Sequence, residues 1–438
     1  MSYKEKLITV QQAVDMVKSN DYIVTGLGSS TADAFFSHLH TAADRLQDVL
    51  ISTCLPMKDY PCFNDPAYKN SFLHDSWFYS AATRKAHKAG STSFVPNCLH
   101  FAATKRLAHR KPTFYIGAAS MPDRHGFISL SCSNTYETHM IDAADITILE
   151  INPNYPRTFG DVNIHVSQVD YLIQTDYEVP ALPDVPPSDK DRVIGGLIAP
   201  CINDGDCLQL GIGGMPNALA EALMDKKDLG IHTEMLTTNM MKLYQAGAIT
   251  GRKKQIQRGK MVCTFIMGSK ELYQFAHDNP AIEVLTGSYV NDPYVIGQND
   301  NMVSINSTME VDLTGQCASE SLGSVQFSGT GGQADTAVGA QNAKNGRSFI
   351  CLYSTAMVMN PKTGQREEVS KIVAQLKTGA AVTLSRNDVD NVVTEYGIAS
   401  LRGTSVRERV ELLIGIAHPR FRDELRRQAY EIGIAFPR

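Results

Sequence analysis

One carboxylate in this sequence lies close enough to a glycine turn for the two to act together. Residues 206–235 read DCLQLGIGGMPNALAEALMDKKDLGIHTEM, which predicts a strand, a glycine turn, a helix and a second strand that ends beside Glu234. A glycine turn that opens a helix presents unpaired backbone N–H groups to an anion. A glutamate at a strand end can be a nucleophile or a base. The combination suggests covalent chemistry on a substrate that carries phosphate.

A second glycine-rich segment lies further along the chain. Residues 323–340 read GSVQFSGTGGQADTAVGA, which contains too many glycines for a regular strand or helix. Such a segment lets backbone N–H groups approach a ligand closely, as an oxyanion hole requires. A mobile surface loop is the alternative. The few charges in the segment and the buried strand expected after it, RSFICLYS, favour the ligand loop.

Other catalytic patterns fit the sequence poorly. GLGSST and GIGGMP both follow predicted strands, but Thr31 and Pro216 occupy the sixth position of a dinucleotide fingerprint that requires Gly or Ala there. Neither a G-x-S-x-G elbow nor a Ser-His-Asp order is present. The twelve histidines are dispersed, so no metal site is expected.

The overall composition limits the setting of this chemistry. The chain has 438 residues, 43% hydrophobic and 20% charged, enough for two sizeable cores. The net charge of -5 and the dispersed basic residues exclude a nucleic-acid footprint. The first residues, MSYKEKLITV, lack the apolar core of a signal peptide, and no apolar stretch approaches about 18 residues. We therefore expect a soluble, cytoplasmic protein with no membrane partner.

The elements that must position Glu234 are predicted from a linker and a repeat. Residues 180–191, PALPDVPPSDKD, are too rich in proline and charge for a helix or a central strand, and we expect them to join two domains. On either side, a strand, a glycine turn and a helical stretch recur, beginning at Asp21 and at Asp206. This repeat predicts an α/β protein with two open parallel sheets. Further strands are expected at 112–120, 145–152, 261–268, 347–354, 380–386 and 391–397, before a helical end interrupted at Pro419.

Many of these segments together resemble one known family. LQLGIGGMPNAL, DLGIHTEM, GKMVCTFIMGS, NDPYVIGQNDNMVSINS, GQCASESLG, FSGTGGQ, VVTEYGIASLRG and IAHPRFRDEL look like signatures of the acetyl-CoA hydrolase/transferase family. The first half is similar through SMPDRHGF, ADITILEIN and DVNIHVSQVDYLI. Within the family, the chain is most similar to 4-hydroxybutyrate CoA-transferases and butyryl-CoA:acetate CoA-transferases.

The resemblance implies a fold and a set of site residues. It implies two tandem CoA-transferase-like domains, residues 1–183 and 190–438, with the active site at their junction and Glu234 as the catalytic residue. Residues that correspond to coenzyme A contacts are Gly211, Ile212, Gly213, Gly214, Met215, Asn306 and Gly332. Residues that correspond to the oxyanion or acyl site are Gly331, Gly332 and Gln333. No tightly bound cofactor and no metal are expected, since coenzyme A enters and leaves as part of the substrate.

The implied reaction is a ping-pong transfer of coenzyme A from a short-chain acyl-CoA to a carboxylic acid such as acetate, butyrate or 4-hydroxybutyrate. Ionised Glu234 attacks the thioester, and a glutamyl-CoA thioester follows. The backbone donors of GTGGQ are expected to face the thioester carbonyl rather than the nucleophile. The alternatives are an acyl-CoA hydrolase on the same scaffold and a non-catalytic metabolite sensor. A homo-oligomer, most simply a dimer, is the usual expectation for such an enzyme.

Four segments depart from the family pattern and leave the acyl group open. GLGSS follows the first strand, where relatives commonly have a histidine-containing segment, and Lys371 occupies an arginine position. MVMNPKTGQREEV at 357–369 and GGQADTAVGA also differ from the usual segments.

Overall fold

A computed structural model describes residues 3–360 and 363–435 of the chain. Its strands form two large sheets, one in each half. Residues 361 and 362 of the unusual segment 357–369 lie outside the described residues.

The described residues of the first half contain nine strands and six α-helices. The strands are β1 (Tyr22–Thr25), β2 (Val49–Thr53), β3 (Phe72–Ser76), β4 (Thr92–Phe94), β5 (Phe114–Ser120), β6 (Phe127–Ser129), β7 (Ile146–Asn152), β8 (Asn163–His165) and β9 (Tyr171–Gln174). The helices are α1 (Val10–Met16), α2 (Asp33–Leu39), α3 (Pro61–Asn64), α4 (Ala81–Lys88), α5 (Ala102–His109) and α6 (Glu137–Ala143).

The described residues of the second half contain more elements, several of them short. The strands are β10 (Cys207–Leu210), β11 (Gly230–His232), β12 (Met235–Leu236), β13 (Met261–Cys263), β14 (Phe265–Ile266), β15 (Ile282–Val284), β16 (Met302–Ser307), β17 (Glu310–Asp312), β18 (Cys317–Ala318), β19 (Ser321–Leu322), β20 (Val325–Gln326), β21 (Arg347–Cys351), β22 (Thr355–Met359), β23 (Arg366–Ser370), β24 (Ile372–Val373), β25 (Asn391–Thr394) and β26 (Gly397–Ser400). The helices are α7 (Asp189–Ile198), α8 (Gly214–Ala222), α9 (Thr238–Gln245), α10 (Lys270–Ala276), α11 (Gly287–Val290), α12 (Pro293–Ile296), α13 (Gln333–Asn342), α14 (Val406–Ile416) and α15 (Arg422–Glu431).

The two large sheets share one strand order. The first sheet runs β4-β3-β2-β1-β5-β7-β9 and the second β15-β13-β11-β10-β16-β21-β25-β26. When only the strands of each large sheet are numbered along the chain, both orders are fourth, third, second, first, fifth, sixth and seventh, and the second sheet adds the antiparallel edge strand β26. The remaining neighbours pair in parallel. The predicted α/β class with two parallel sheets is confirmed, and the shared order matches the repeat seen in the sequence.

Burial explains why the central strands read as continuous apolar runs. All seven residues of β5 are buried, as expected for a parallel strand with helices on both faces. One hydrophobic cluster contains Tyr136 from the first half together with Phe265 and Met267 from the second. The two halves therefore pack on a common core, which holds the carboxyl ends of their strands in a fixed relation. The boundary between residues 183 and 190 stays a prediction.

Three local predictions need correction. The proline-rich linker was expected to extend to residue 191, but the Ser188 hydroxyl caps α7, which begins at Asp189. Residues 380–386 were expected to form a strand, but only Leu384 makes an isolated bridge, to Cys317. The second glycine-rich segment was expected to contain no regular strand or helix, but Val325–Gln326 form β20 and α13 begins at Gln333, directly after the glycine turn.

Within residues 3–360 and 363–435, no helix combines the length and the apolar character that a membrane span requires. The same residues contain no group of three or more His, Cys, Asp or Glu side chains that could hold a metal ion.

Candidate active site

Glu234 is held in the short gap between β11 and β12, at the carboxyl end of the second strand of the second sheet. Its carbonyl oxygen accepts hydrogen bonds from the backbone N–H groups of Thr264, at 2.9 Å, and Phe265, at 3.1 Å. The pairing of β12 with β14 continues this contact. The backbone is thus fixed, and the side chain is directed into a cavity.

Two donors contact the Glu234 carboxylate. Asn291, at the end of α11, donates from Nδ2 to Oε2 at 3.1 Å. The backbone N–H of Gly332 is the second donor. His232 supports this arrangement, because burial lowers its pKa to about 3 and its neutral ring lies 2.8 Å, at Nε2, from the carbonyl oxygen of Val290. The residue next to Asn291 is therefore anchored to the strand that carries Glu234.

The electrostatic surroundings leave Glu234 between its two protonation states at neutral pH. Burial raises its pKa to about 7. The Asn291 hydrogen bond lowers the pKa, the negative charge of Asp335 raises it, and the Gly332 hydrogen bond lowers it. A carboxylate that is poorly hydrated but still ionisable is a stronger nucleophile than one in bulk water.

The glycine turn before α13 approaches the Glu234 carboxylate so closely that a side chain would not fit. A Cβ on Gly332 would overlap with Glu234 Oε2 and with Asn291 Nδ2. Gly331 has a φ of +56°, which a glycine adopts without strain. The N–H of Gly332 therefore faces Glu234, whereas the resemblance led us to expect that these donors would face the thioester carbonyl rather than this side chain.

A cavity of about 210 Å³ surrounds the Glu234 carboxylate. Its walls come from Phe78 of the first half and from several segments of the second: Gln209, Leu210, Gly211, Met235, Asn306, Ser307, Ser319, Ser328, Gly329, Thr330, Gly331, Gly332, Gln333 and Thr336. Glu234 is the only ionisable side chain among the described residues of this lining. We call this space the nucleophile cavity.

The amide side chains in the nucleophile cavity are fixed by their neighbours. Asn306 donates from Nδ2 to Gln209 Oε1 at 3.2 Å and to Thr336 Oγ1 at 3.0 Å. Gln333 donates from Nε2 to the carbonyl of Ser307 at 2.7 Å, and its Oε1 accepts from Ser319 at 2.6 Å. Both side chains stiffen the wall opposite Glu234.

A second cavity, of about 200 Å³, is lined by most of the glycine turn that precedes α8. It is lined by Asp191, Ile194, Ile212, Gly213, Gly214, Met215, Pro216, Ser307, Thr308, Cys351, Leu352, Tyr353 and Lys371. Gly213 caps α8 with a φ of +109°, and the Ile212 side chain is 49% exposed. We call this space the turn cavity. Ser307 lines both cavities, so one long ligand could reach from Lys371 to Glu234.

A third, more apolar cavity of about 570 Å³ adjoins the other two on the side of the first half. It shares Phe78 and Ser328 with the nucleophile cavity and Ile212 with the turn cavity. Leu55, Met57, Leu182 and Met267 are among its apolar walls. The three cavities meet at the junction of the halves, where the sequence had placed the site.

The structure thus brings the predicted residues to two neighbouring places. Gly211, Asn306, Gly331, Gly332 and Gln333 line the cavity around Glu234, and the rest of the first glycine turn lines the turn cavity. Sequence reasoning missed Phe78 and Asn291. Asn291 lies in the NDPYVIGQND segment, whose similarity to the family was the available signal.

Comparison with known proteins identifies the family of this chain. Residues 1–183 match the N-terminal domain of acetyl-CoA hydrolases/transferases, and residues 268–429 match the C-terminal domain. The chain belongs to the acetyl-CoA hydrolase/transferase family. The family predicted from the sequence segments is therefore confirmed.

Among its family relatives, the succinyl-CoA:cyclohexane-1-carboxylate CoA transferase of Geobacter metallireducens is 41% identical over 97% of this chain and 94% of that protein. The 4-hydroxybutyrate coenzyme A transferase of Clostridium kluyveri is 39% identical over 97% of both chains. The crystal structure of RipA from Yersinia pestis is similar with a TM-score of 0.90, at 33% identity over 99% of this chain and 98% of that one. More distant relatives such as a protein of Yarrowia lipolytica, 29% identical over 50% of this chain and 37% of its own, are named acetyl-CoA hydrolases.

The two groups next to the carboxylate predict opposite shifts in its titration. Asn291→Ala removes a donor that stabilises the ionised form, so the pKa of Glu234 is expected to rise above about 7. Asp335→Asn removes a negative charge that opposes ionisation, so the pKa is expected to fall. Carbon-13 NMR titration of side-chain-labelled glutamate, assigned with Glu234→Gln, measures both. Shifts of the same sign in the two variants would contradict this account of the site.

Proposed function

We propose that this chain transfers coenzyme A from a short-chain acyl-CoA to a carboxylic acid through a thioester on Glu234. The observation that carries the proposal is the Glu234 carboxylate, the one ionisable group among the described residues of its cavity, next to a glycine-turn cavity that contains Lys371. The full-length relatives at 36–41% identity are named CoA-transferases, which supports it.

The proposed reaction has four steps. The Glu234 carboxylate attacks the thioester carbonyl, the C–S bond breaks, and an acyl-glutamyl anhydride and coenzyme A thiolate result. The thiolate then attacks the glutamyl carbonyl and expels the first carboxylic acid as its carboxylate. The acceptor carboxylate attacks the glutamyl-CoA thioester, again releasing the thiolate. The thiolate finally attacks the acceptor's acyl carbonyl, which restores Glu234 and forms the new acyl-CoA.

The backbone donor of Gly332 fits the two middle steps. In these steps the negative charge develops on an oxygen of the glutamyl carbonyl group itself, and the N–H of Gly332 already contacts that carboxylate. Gly331 and Gln333 complete the same turn, and we assign the turn to the oxyanion of the glutamyl carbon.

The turn cavity fits the phosphate-bearing part of coenzyme A. Its wall is the N-terminal turn of α8, where backbone N–H groups favour an anion. Lys371 adds an ammonium whose pKa is lowered by burial and whose Nζ has a weak contact, at 3.5 Å, with the carbonyl of Thr308. A phosphate would add an anionic partner close to this group. The binding energy gained there can hold the thioester against Glu234.

Acyl-CoA hydrolysis is the second candidate, since distant relatives are named acetyl-CoA hydrolases. It would use the same glutamyl thioester, with water in place of the acceptor acid. A single experiment distinguishes the two reactions.

Covalent trapping tests the nucleophile. Incubation with acyl-CoA followed by borohydride is expected to reduce the glutamyl thioester and to modify the peptide that contains IHTEM. Glu234→Gln and Glu234→Ala are expected to remove both the modification and the exchange of labelled acetate into acyl-CoA, a loss of at least about 10⁴-fold for a covalent nucleophile. Release of free coenzyme A without an acceptor, at the rate of exchange, would indicate a hydrolase. A modified residue elsewhere would refute the assignment of Glu234.

Gly332→Ala tests the close approach of the turn to the nucleophile. The added methyl group would displace the Glu234 carboxylate, so exchange is expected to fall by roughly 10²-fold or more. The displaced atoms are ends of side chains, so the unfolding midpoint should change little. Gly415→Ala is the matched control, because nothing lies within 4 Å of a Cβ at that position. Full activity of Gly332→Ala would contradict the proposed geometry.

Lys371→Ala tests the turn cavity. Loss of one charge-assisted contact to phosphate is expected to raise the KM for acyl-CoA by roughly tenfold, with little change in kcat. Lys371→Arg should retain binding. The control substrate is acyl-pantetheine, which lacks the phosphates, and its KM should be the same for the wild type and for Lys371→Ala. Equal losses with both substrates would place the phosphates elsewhere.

A further inference from the structure

Two consecutive residues of the first half, Leu99 and His100, form hydrogen bonds with the glycine turn and the start of α13 beside Glu234. The N–H of Leu99 donates to the carbonyl of Gly331 at 3.1 Å. The N–H of His100 donates to Asp335 Oδ2 at 3.2 Å, and His100 Nδ1 lies 2.7 Å from Asp335 Oδ1. Because a carboxylate only accepts hydrogen bonds, Nδ1 of His100 carries the proton in this pair. Three hydrogen bonds therefore reach the turn from a distant part of the sequence.

These hydrogen bonds hold the part of the chain that contacts Glu234. Asp335 belongs to the first turn of α13, which Gly332 caps, so a shift of Asp335 moves the N–H of Gly332. The side chain of Asp335 is 2% exposed and that of His100 is 15% exposed, so water competes little for their hydrogen bond. Asp335 is also close enough to Glu234 for its charge to raise the pKa of that carboxyl group.

The proposed reaction gives this contact a function. The turn must follow the Glu234 carbonyl as it changes from carboxylate to anhydride to thioester, and it must return to the same place. A turn with two glycines has little stiffness of its own. The hydrogen bonds from Leu99 and His100 supply this stiffness. They connect the turn to the first half, which also contributes Phe78 to the nucleophile cavity.

We propose that His100 is a positioning residue for transfer: through Asp335 it holds the Gly331–Gly332 turn against Glu234. The proposal rests on the proposed function, since it concerns the geometry of the same nucleophile. His100 touches neither substrate nor the reacting atoms in this account, and it acts only through Asp335 and the turn.

The test measures the first half-reaction, the rate at which acyl-CoA produces the borohydride-trapped adduct. His100→Ala is expected to slow adduct formation by roughly 10- to 100-fold, with the KM for acyl-CoA unchanged within about twofold, because geometry rather than binding is lost. His100→Asn should restore most of the rate, since its side-chain amide nitrogen can occupy the position of Nδ1. His100→Gln, whose donor lies where Nε2 was, should remain slow.

A remote ion pair provides the control for a general effect of loosening the halves. Arg157 Nε donates to Asp278 Oδ1 at 2.6 Å, away from the cavities, so Arg157→Ala should form adduct at the wild-type rate. Equal rates in His100→Ala and the wild type would refute the positioning role. Slow rates in both His100→Ala and His100→Asn, together with lowered unfolding midpoints, would reduce His100 to a packing residue. Absence of adduct in the wild type would instead refute the proposed function itself.

Discussion

The site depends on the contact between the Glu234 carboxylate and the turn formed by Gly331 and Gly332. A carboxylate that is to attack a thioester must lose most of its hydration, yet it must remain ionisable near neutral pH. Burial alone would suppress ionisation, and many hydrogen bonds would weaken the nucleophile. Two donors, Asn291 and the Gly332 N–H, leave the pKa at about 7. The absence of a side chain at position 332 is what lets the backbone donor reach the carboxylate.

The duplicated architecture explains why this contact forms at the junction of the halves. In both sheets the second strand neighbours the first, and its carboxyl end faces the other half: Cys54 directly follows β2, and Glu234 is the second residue after β11. Burial raises the pKa of the Cys54 thiol and the charge of Glu234 raises it further, so the two strand ends are close neighbours. The glycine turns have diverged. In the turn of the first half, the N–H of Leu27 donates to Glu137 Oε1 at 2.9 Å, and the N–H of Gly28 donates to the carbonyl of Cys54 at 3.0 Å. The turn of the second half lines a cavity instead.

This divergence shows what the sequence could and could not predict. Glu234 and the glycine turn before α8 are close in the chain, so strand-turn-helix patterns were sufficient to bring them together. Asn291, Phe78 and His100 reach the site through tertiary packing, and no strand, turn or helix pattern marks them. The sequence also cannot reveal that Glu137, remote in the chain from Leu27, accepts the hydrogen bond of the Leu27 N–H in the glycine turn of the first half. The wrong strand at 380–386 has a related cause: an alternating apolar pattern predicts a half-buried strand, but Val382 is 46% exposed and no continuous neighbour is available beyond the bridge at Leu384.

In the proposed reaction, the lining around Glu234 favours an acid over water as the acceptor. Hydrolysis of a glutamyl thioester at neutral pH needs a base that removes a proton from water. Among the described residues that line the nucleophile cavity, Glu234 is the only ionisable group, and in the intermediate it is itself esterified to sulfur. Asp335, whose charge acts on Glu234, is engaged with His100. A carboxylic acid arrives already ionised and needs no base, so it can attack where water remains a weak nucleophile. In the proposed reaction, the ratio of transfer to hydrolysis therefore depends on the absence of a second base among the described lining residues as well as on Glu234 itself.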